Sequence, residues 1–137
     1  MQYPVDLKPD GKSFFVSFPD VPEALTQGCG KRDALRQALE ALETALTFYV
    51  QAGRPLPIPS KPRSGQAVVD LPASYSAKVL LLNEMHAQHF RPSALTRKLA
   101  LASEATTRLL NPYRTSSIDL IQRALSALGK SLEIHAI

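Results

Sequence analysis

With 137 residues, 45% of them hydrophobic and 20% charged, the chain has room for one ordinary soluble domain or two small ones. Its single cysteine, Cys29, excludes an intrachain disulfide and with it a disulfide-stapled secreted scaffold. The net charge of +4 is unevenly placed: residues 1–53 hold five Lys and Arg against seven Asp and Glu, whereas residues 86–115 hold five against one, so the two ends are expected to meet partners of opposite sign.

Taken in order, Tyr3, Val5 and Leu7 alternate with polar neighbours, Pro9-Asp10-Gly11-Lys12 supplies turn chemistry, and Phe14, Val16 and Phe18 alternate again, which predicts a β-hairpin. Pro19-Asp20-Val21-Pro22 then fixes two φ angles and sets Asp20 and Glu23 at a rigid corner. Such corners are common on surfaces and read first as a chain reversal, with presentation of negative charge to a partner as the alternative. Ala24 to Cys29 predicts a third short strand. A long amphipathic helix follows from about Lys31, with Leu35, Ala38, Leu39, Leu42, Ala45, Leu46 and Tyr49 on one side and Arg36, Glu40, Glu43 and Thr47 on the other. That apolar stripe needs a sheet to cover it. Gly53 and Pro55 end the helix.

Residues 55–66, with Pro55, Pro57, Pro59 and Pro62, read as an extended connector, and Ala67 to Leu71 as a last strand of the N-terminal sheet. The boundary between a first domain, 1–71, and a second, 72–137, is placed there. Beyond it the pattern is helical: one helix from about Pro72 with Tyr75, Val79, Leu82 and Met85 along a face, a second over Ser93–Ala100, a third over Ser103–Leu110 and a fourth over Ser117–Leu128. Two short helices joined by Leu101-Ala102 predict a helix-turn-helix. In Ser131–Ile137, Leu132, Ile134 and Ala136 alternate with Glu133, His135 and Ile137, which predicts a terminal strand whose nearest edge is the same strand of a second copy.

Residues able to carry catalysis are sparse. The chain has no G-x-S-x-G, phosphate-binding glycine loop or H-E-x-x-H motif, and only Asp6 and Asp70 are acids within the predicted strands, too few for a two-metal nuclease. His86 and His89 stand three apart on a helix, but a zinc site takes three or four ligands, so they read as surface residues. The expectation is a protein with no catalytic residues, metal or cofactor. DNA binding is better supported, because a recognition helix needs short polar or charged side chains on its first two turns. Ser103, Glu104, Thr107 and Arg108 occupy that face, Arg97 and Lys98 precede it, and Asn111, Tyr113 and Arg114 lie just beyond it, suited to phosphates. The competing reading is a solvated helical bundle with scattered arginines. Met1 to Asp6 lacks a leader's basic and apolar regions and the run Val79–Leu82 is too short to cross a bilayer, so a cytoplasmic protein with no membrane partner is expected.

The run from Tyr3-Pro4-Val5 to Phe14-Phe15-Val16-Ser17-Phe18-Pro19-Asp20-Val21-Pro22, continuing through Thr26-Gln27-Gly28 into a helix with Ala34, Ala38, Ala41 and Leu42, resembles the HicB antitoxins of bacterial HicAB toxin–antitoxin systems. Ser76 to Asn83, Leu95 to Asn111 and Ala127-Leu128-Gly129-Lys130 resemble the helix-turn-helix subclass of that family, so the likeness covers nearly the whole chain. Two departures are Ala100 in place of the customary turn glycine and Thr106 at a usually apolar position, with Ala100 expected in a right-handed turn conformation. A third is Glu23-Ala24 after the proline corner, where many relatives carry Gly-Cys. The resemblance implies an α+β protein whose N-terminal domain has a partial RNase H-like fold without nuclease activity. That domain would bind a small basic HicA-type mRNA interferase, and Asp20, Val21, Pro22, Glu23, Glu40 and Glu43 are the candidate toxin contacts. The C-terminal domain would bind the operator of its own operon as a homodimer or larger oligomer and repress it. The alternative reading is a helix-turn-helix regulator whose N-terminal domain senses a small ligand.

Overall fold

The first strand, β1 (Gln2–Asp10), serves two neighbours end to end. Its residues Asp6–Asp10 pair antiparallel with β2 (Ser13–Ser17), and its residues Gln2–Val5 pair antiparallel with β4 (Ala67–Asp70). This division explains how one strand of a sheet tolerates Pro4 and Pro9: each proline lies where β1 has a neighbour on one side only, so its missing N–H opens no second ladder. The hairpin turn is accordingly tighter than expected, because Pro9 and Asp10 belong to the strand and face Phe14 and Ser13. β3 (Leu25–Cys29) pairs with β2, and the four-stranded antiparallel sheet has the order β3-β2-β1-β4. The computed structural model describes residues 1–137 and separates into two units, Met1–Pro72 and Ala73–Ile137.

In the first unit, α1 (Lys31–Gln51) lies on β3 and β2 and buries Ala34, Ala38, Leu42, Ala45, Leu46 and Tyr49 against Tyr3, Val5, Val16 and Phe18. The buried stripe matches the expected one at Ala38, Leu42, Ala45, Leu46 and Tyr49 but takes in Ala34, with Leu35 and Leu39 half-buried at its border; Thr47, expected on the polar side, is also buried, its hydroxyl donating to the Glu43 carbonyl at 2.8 Å. Small residues permit the close approach. A Cβ on Gly28 would stand 2.3 Å from the Ala34 Cα, so only glycine fits there. The proline-rich connector belongs wholly to this unit, joining α1 to β4, and is strapped to it: Leu56 is buried, and the Tyr3 hydroxyl donates to the Pro57 carbonyl at 2.6 Å.

The second unit is built from α2 (Ala73–Ala87), α3 (Pro92–Leu99), α4 (Ser103–Leu109) and α5 (Ile118–Ala127). Its core gathers Leu81, Met85, Leu95, Leu99, Leu109, Ile121, Leu125 and Leu128. Thr106 is buried and its hydroxyl lies 2.8 Å from that of Thr96, so the polar group is satisfied inside the core. Ala100 departs from expectation: it sits at φ 53°, ψ 43°, the left-handed conformation, not a right-handed turn. Leu101 N–H donates to the Thr96 carbonyl and Ala100 N–H to that of Arg97, the bonding of a helix stop that normally carries glycine. Gly53 and Gly129 fill the equivalent place after α1 and α5.

Residues 131–137 have no regular structure, because a strand exists only as part of a ladder and the second unit holds no other strand. Leu132 packs on the helical core, while Ile134 and Ile137 stand exposed.

The left-handed alanine yields a stability test. Ala100→Gly relieves the Cβ strain of that conformation and is expected to stabilise the second unit by on the order of 1 kcal/mol, even after the greater freedom of glycine in the unfolded chain. A urea midpoint that fails to rise would contradict the helix-stop assignment.

Candidate functional site

The acidic corner of the first unit is more occupied than the sequence suggests. The Asp20 carboxylate accepts from both the backbone N–H and the hydroxyl of Ser60 at 2.9 Å, which ties the connector down. Both oxygens of Glu23 accept from the Tyr49 hydroxyl, at 2.6 and 2.8 Å, and Arg54 approaches to 3.9 Å while its guanidinium lies over the Tyr49 ring. The tyrosine bond, foremost, holds the Glu23 carboxyl below its ordinary range, and the same bond raises the Tyr49 hydroxyl. Val21 is fully buried in the core, and this removes it from the exposed candidates; Pro22 remains exposed.

The outer face of α1 is different. Glu40 is exposed, and Glu43, one turn on, is half-buried, so burial first and the Glu40 charge second push its carboxyl above the usual range. Glu40 borders an open groove between α1 and the edge strand β3, together with Gln37, Ala41 and Thr44. Leu25 and Phe48, 56% and 62% exposed, also line it. Sequence reasoning passed over both. The readable signal for Phe48 is its place at four-residue steps from Arg36, Glu40 and Thr44, a large apolar side chain on a polar stripe.

In the second unit, the chain brings six of the nine expected nucleic-acid residues together. Ser103, Glu104, Thr107, Arg108, Asn111 and Arg114 line one open concavity formed by the exposed face of α4 and the loop after it. Arg97 and Lys98 are exposed near the end of α3, outside that lining, and the Tyr113 ring stacks edge-on against Tyr75 with centroids 6.5 Å apart. Asn111 shapes its own loop, its side-chain oxygen accepting from the Tyr113 N–H at 3.0 Å. Such a set can hold phosphates through Arg114 and Asn111 while Arg108 and Thr107 face outward from the helix.

Lys78, on α2, is the residue the sequence reading missed. It is fully buried, and its ammonium donates to the carbonyls of Arg108, at 3.1 Å, Asn111, at 3.0 Å, and Arg114. Burial, aided by the Arg114 charge, lowers its pKa to about 8. The only sequence signal is a cation in the otherwise apolar run Ala77 to Leu82. His86 and His89 are exposed, and no group of three or more His, Cys, Asp or Glu side chains is placed to hold a metal ion. No helix is long and apolar enough to cross a membrane.

A family model described as the HicB-like antitoxin of bacterial toxin–antitoxin systems matches residues 2–80. The chain is 43% identical over all 137 residues to Antitoxin HicB 2 of Photorhabdus laumondii, covering 97% of that protein. It is 38% identical over 135 residues to Antitoxin HicB of Escherichia coli, covering 98% of both chains, and 30% identical over 132 residues to Antitoxin HicB of Pseudomonas fluorescens, covering 90% of the latter.

The buried lysine predicts a pH dependence. Its folded pKa of about 8 lies below the 10.5 of an ordinary lysine, so between those pH values the unfolded chain binds the additional proton and folding is favoured as pH rises. Native protein is therefore expected to gain stability relative to Lys78→Met between pH 7.5 and pH 10. Denaturant unfolding of both at each pH checks this, and parallel pH profiles would refute it.

Proposed function

The chain belongs to the HicB-like antitoxin family, and on that premise we propose that its first unit neutralises a small basic HicA-type RNase toxin while its second unit binds operator DNA and represses the operon that encodes both. The observation that carries this reading is the pairing of two unlike surfaces on separate units. One is an acidic groove with apolar anchors, and the other is a concavity with two arginines. The first suits a cationic protein, because opposite charge speeds encounter while Leu25 and Phe48 supply apolar area to bury. Of the acids expected at the toxin, Glu40, exposed on the groove, is the favoured contact; Asp20 and Glu23 also bond Ser60 and Tyr49, and Glu43 is half-buried outside the groove lining.

The second unit is read as a helix-turn-helix, α3 and α4 joined by the left-handed stop at Ala100, with α4 as the recognition helix. Ser103, Glu104, Thr107 and Arg108 face base edges. Asn111, Tyr113 and Arg114 with Arg97 and Lys98 serve phosphates. Residues 131–137 form an intermolecular strand with a second copy, which satisfies their backbone and covers Ile134. The sheet with one packed helix supports the partial RNase H-like description of the first unit. The protein works in the cytoplasm, without catalysis or cofactor.

Co-expression with the product of the adjacent gene, expected to be a small basic protein, followed by purification, tests the toxin half; separate elution of the two would refute it. Glu40→Lys combined with Phe48→Ser is expected to weaken the complex at least tenfold, more at low salt, and to leave operator binding intact. Arg108→Ala is expected to cost on the order of 1–3 kcal/mol per half-site and to relax sequence preference. Arg114→Ala should instead weaken all sequences alike. Both variants should still rescue cells from the toxin. Loss of rescue by Arg108→Ala with an unchanged thermal melt would overturn the division of labour.

A deletion of residues 131–137 checks the assembly. The truncated chain is expected to run as a monomer in sedimentation and to lose affinity for a two-half-site operator, whereas an unchanged mass would refute the intermolecular strand.

A further inference from the structure

The loop after α4 is wound around a single ammonium. Its three acceptor carbonyls belong to Arg108, Asn111 and Arg114, spaced three residues apart. Two of them also accept from the N–H three residues on, Arg108 from Asn111 at 3.2 Å and Asn111 from Arg114 at 3.1 Å. The chain thus makes two successive tight turns whose carbonyls converge on Lys78 Nζ. A lysine ammonium has three protons and no acceptor, so three carbonyls satisfy it fully. A carboxylate in their place would hold it by charge but would not fix the path of the backbone. The helix end gains as well, because a cation is favoured where the last carbonyls of α4 point.

What this arrangement displays is specific. Between and beside the clamped carbonyls, Pro112 is buried and Tyr113 packs on Tyr75, while the side chains of Asn111 and Arg114 line the concavity with Thr107 and Arg108. Arg114 receives its position from a backbone atom of its own residue. We propose that Lys78 is a positioning residue for polyanion recognition: its ammonium holds the 108–114 backbone in the one conformation that sets Arg114 and Asn111 beside the outer face of α4. The inference rests on the reading of that concavity as the DNA face. It assigns Lys78 no contact with DNA, since the side chain is wholly buried.

A double-mutant cycle on the full chain tests it, with Lys78→Met, Arg114→Ala and the pair titrated against a duplex carrying the promoter of its own operon at several salt concentrations. If Lys78 acts through Arg114, Lys78→Met lowers the slope of log affinity against log salt by about one unit, as Arg114→Ala does. The double variant then binds no more weakly than Lys78→Met alone. Multiplying losses, or an unchanged slope in Lys78→Met with native helical circular dichroism, would overturn the proposal. Should Lys78→Met fail to fold, the native chain supplies the readout by NMR: a clamped Lys78 ammonium exchanges its protons far more slowly than surface lysines, and exchange at their rate would overturn it. A native chain that binds neither the promoter nor an unrelated duplex refutes the DNA reading and with it the purpose of the clamp. Binding by the native chain with an additive cycle refutes the clamp alone.

Discussion

The first unit depends on how closely α1 approaches β3. Gly28 lies so near Ala34 that a methyl group would collide with the helix backbone, and alanines at 38 and 45 continue the same approach along the helix. With the helix this low, Ala34, Ala38 and Ala45 share its inner side with Leu42, Leu46 and Tyr49, and Phe48 is left exposed on the flank beside β3. The outer face of the helix and the edge of β3 therefore form one surface with fixed spacing, on which acids and exposed apolar groups stand together. Packing geometry, not a separate device, makes the groove.

The second unit relies on backbone chemistry to a greater degree. Its helices are short, so a large share of their N–H and C=O groups lies at helix ends and must be satisfied elsewhere. α3 is closed by an alanine in a glycine conformation, α5 by a glycine and α4 by a lysine reaching over from α2. The cation adds to the local bonds at the end of α4, where the Arg108 carbonyl also accepts from the Asn111 N–H, and it holds the two turns that follow before α5 begins with Ser117 capping the Leu120 N–H.

Much of this was legible in the sequence where the signal is local. Strand alternation, the α1 stripe, the four helices and six residues of the basic concavity were all readable from spacing within a few positions. What escaped depends on partners far along the chain. Glu23 meets Tyr49 26 positions away and Asp20 meets Ser60 40 away, so two carboxylates that look free are bound. Lys78 finds its acceptors 30 to 36 residues later, and they are carbonyls, which no side-chain pattern marks. Val21 between two prolines reads as surface, yet it is buried as the chain folds back, with the Ala24 N–H donating to its carbonyl at 2.9 Å. The terminal segment shows the opposite limit, because alternation states what a strand would look like and not whether a ladder exists for it to join.

The shared first strand has a consequence for the order in which the protein is made. Half of β1 finds its neighbour in β2 a few residues later, but Gln2 waits for Asp70, so the sheet cannot close until nearly the whole first unit has been synthesised. The proline-rich strap between α1 and β4 must be laid down before that closure. The second unit has helices and no strand ladder, and such architectures, with their more local contacts, assemble faster as a class. In a nascent chain, then, the unit that emerges first waits longest for its last strand, and its first few residues spend that interval as an open edge.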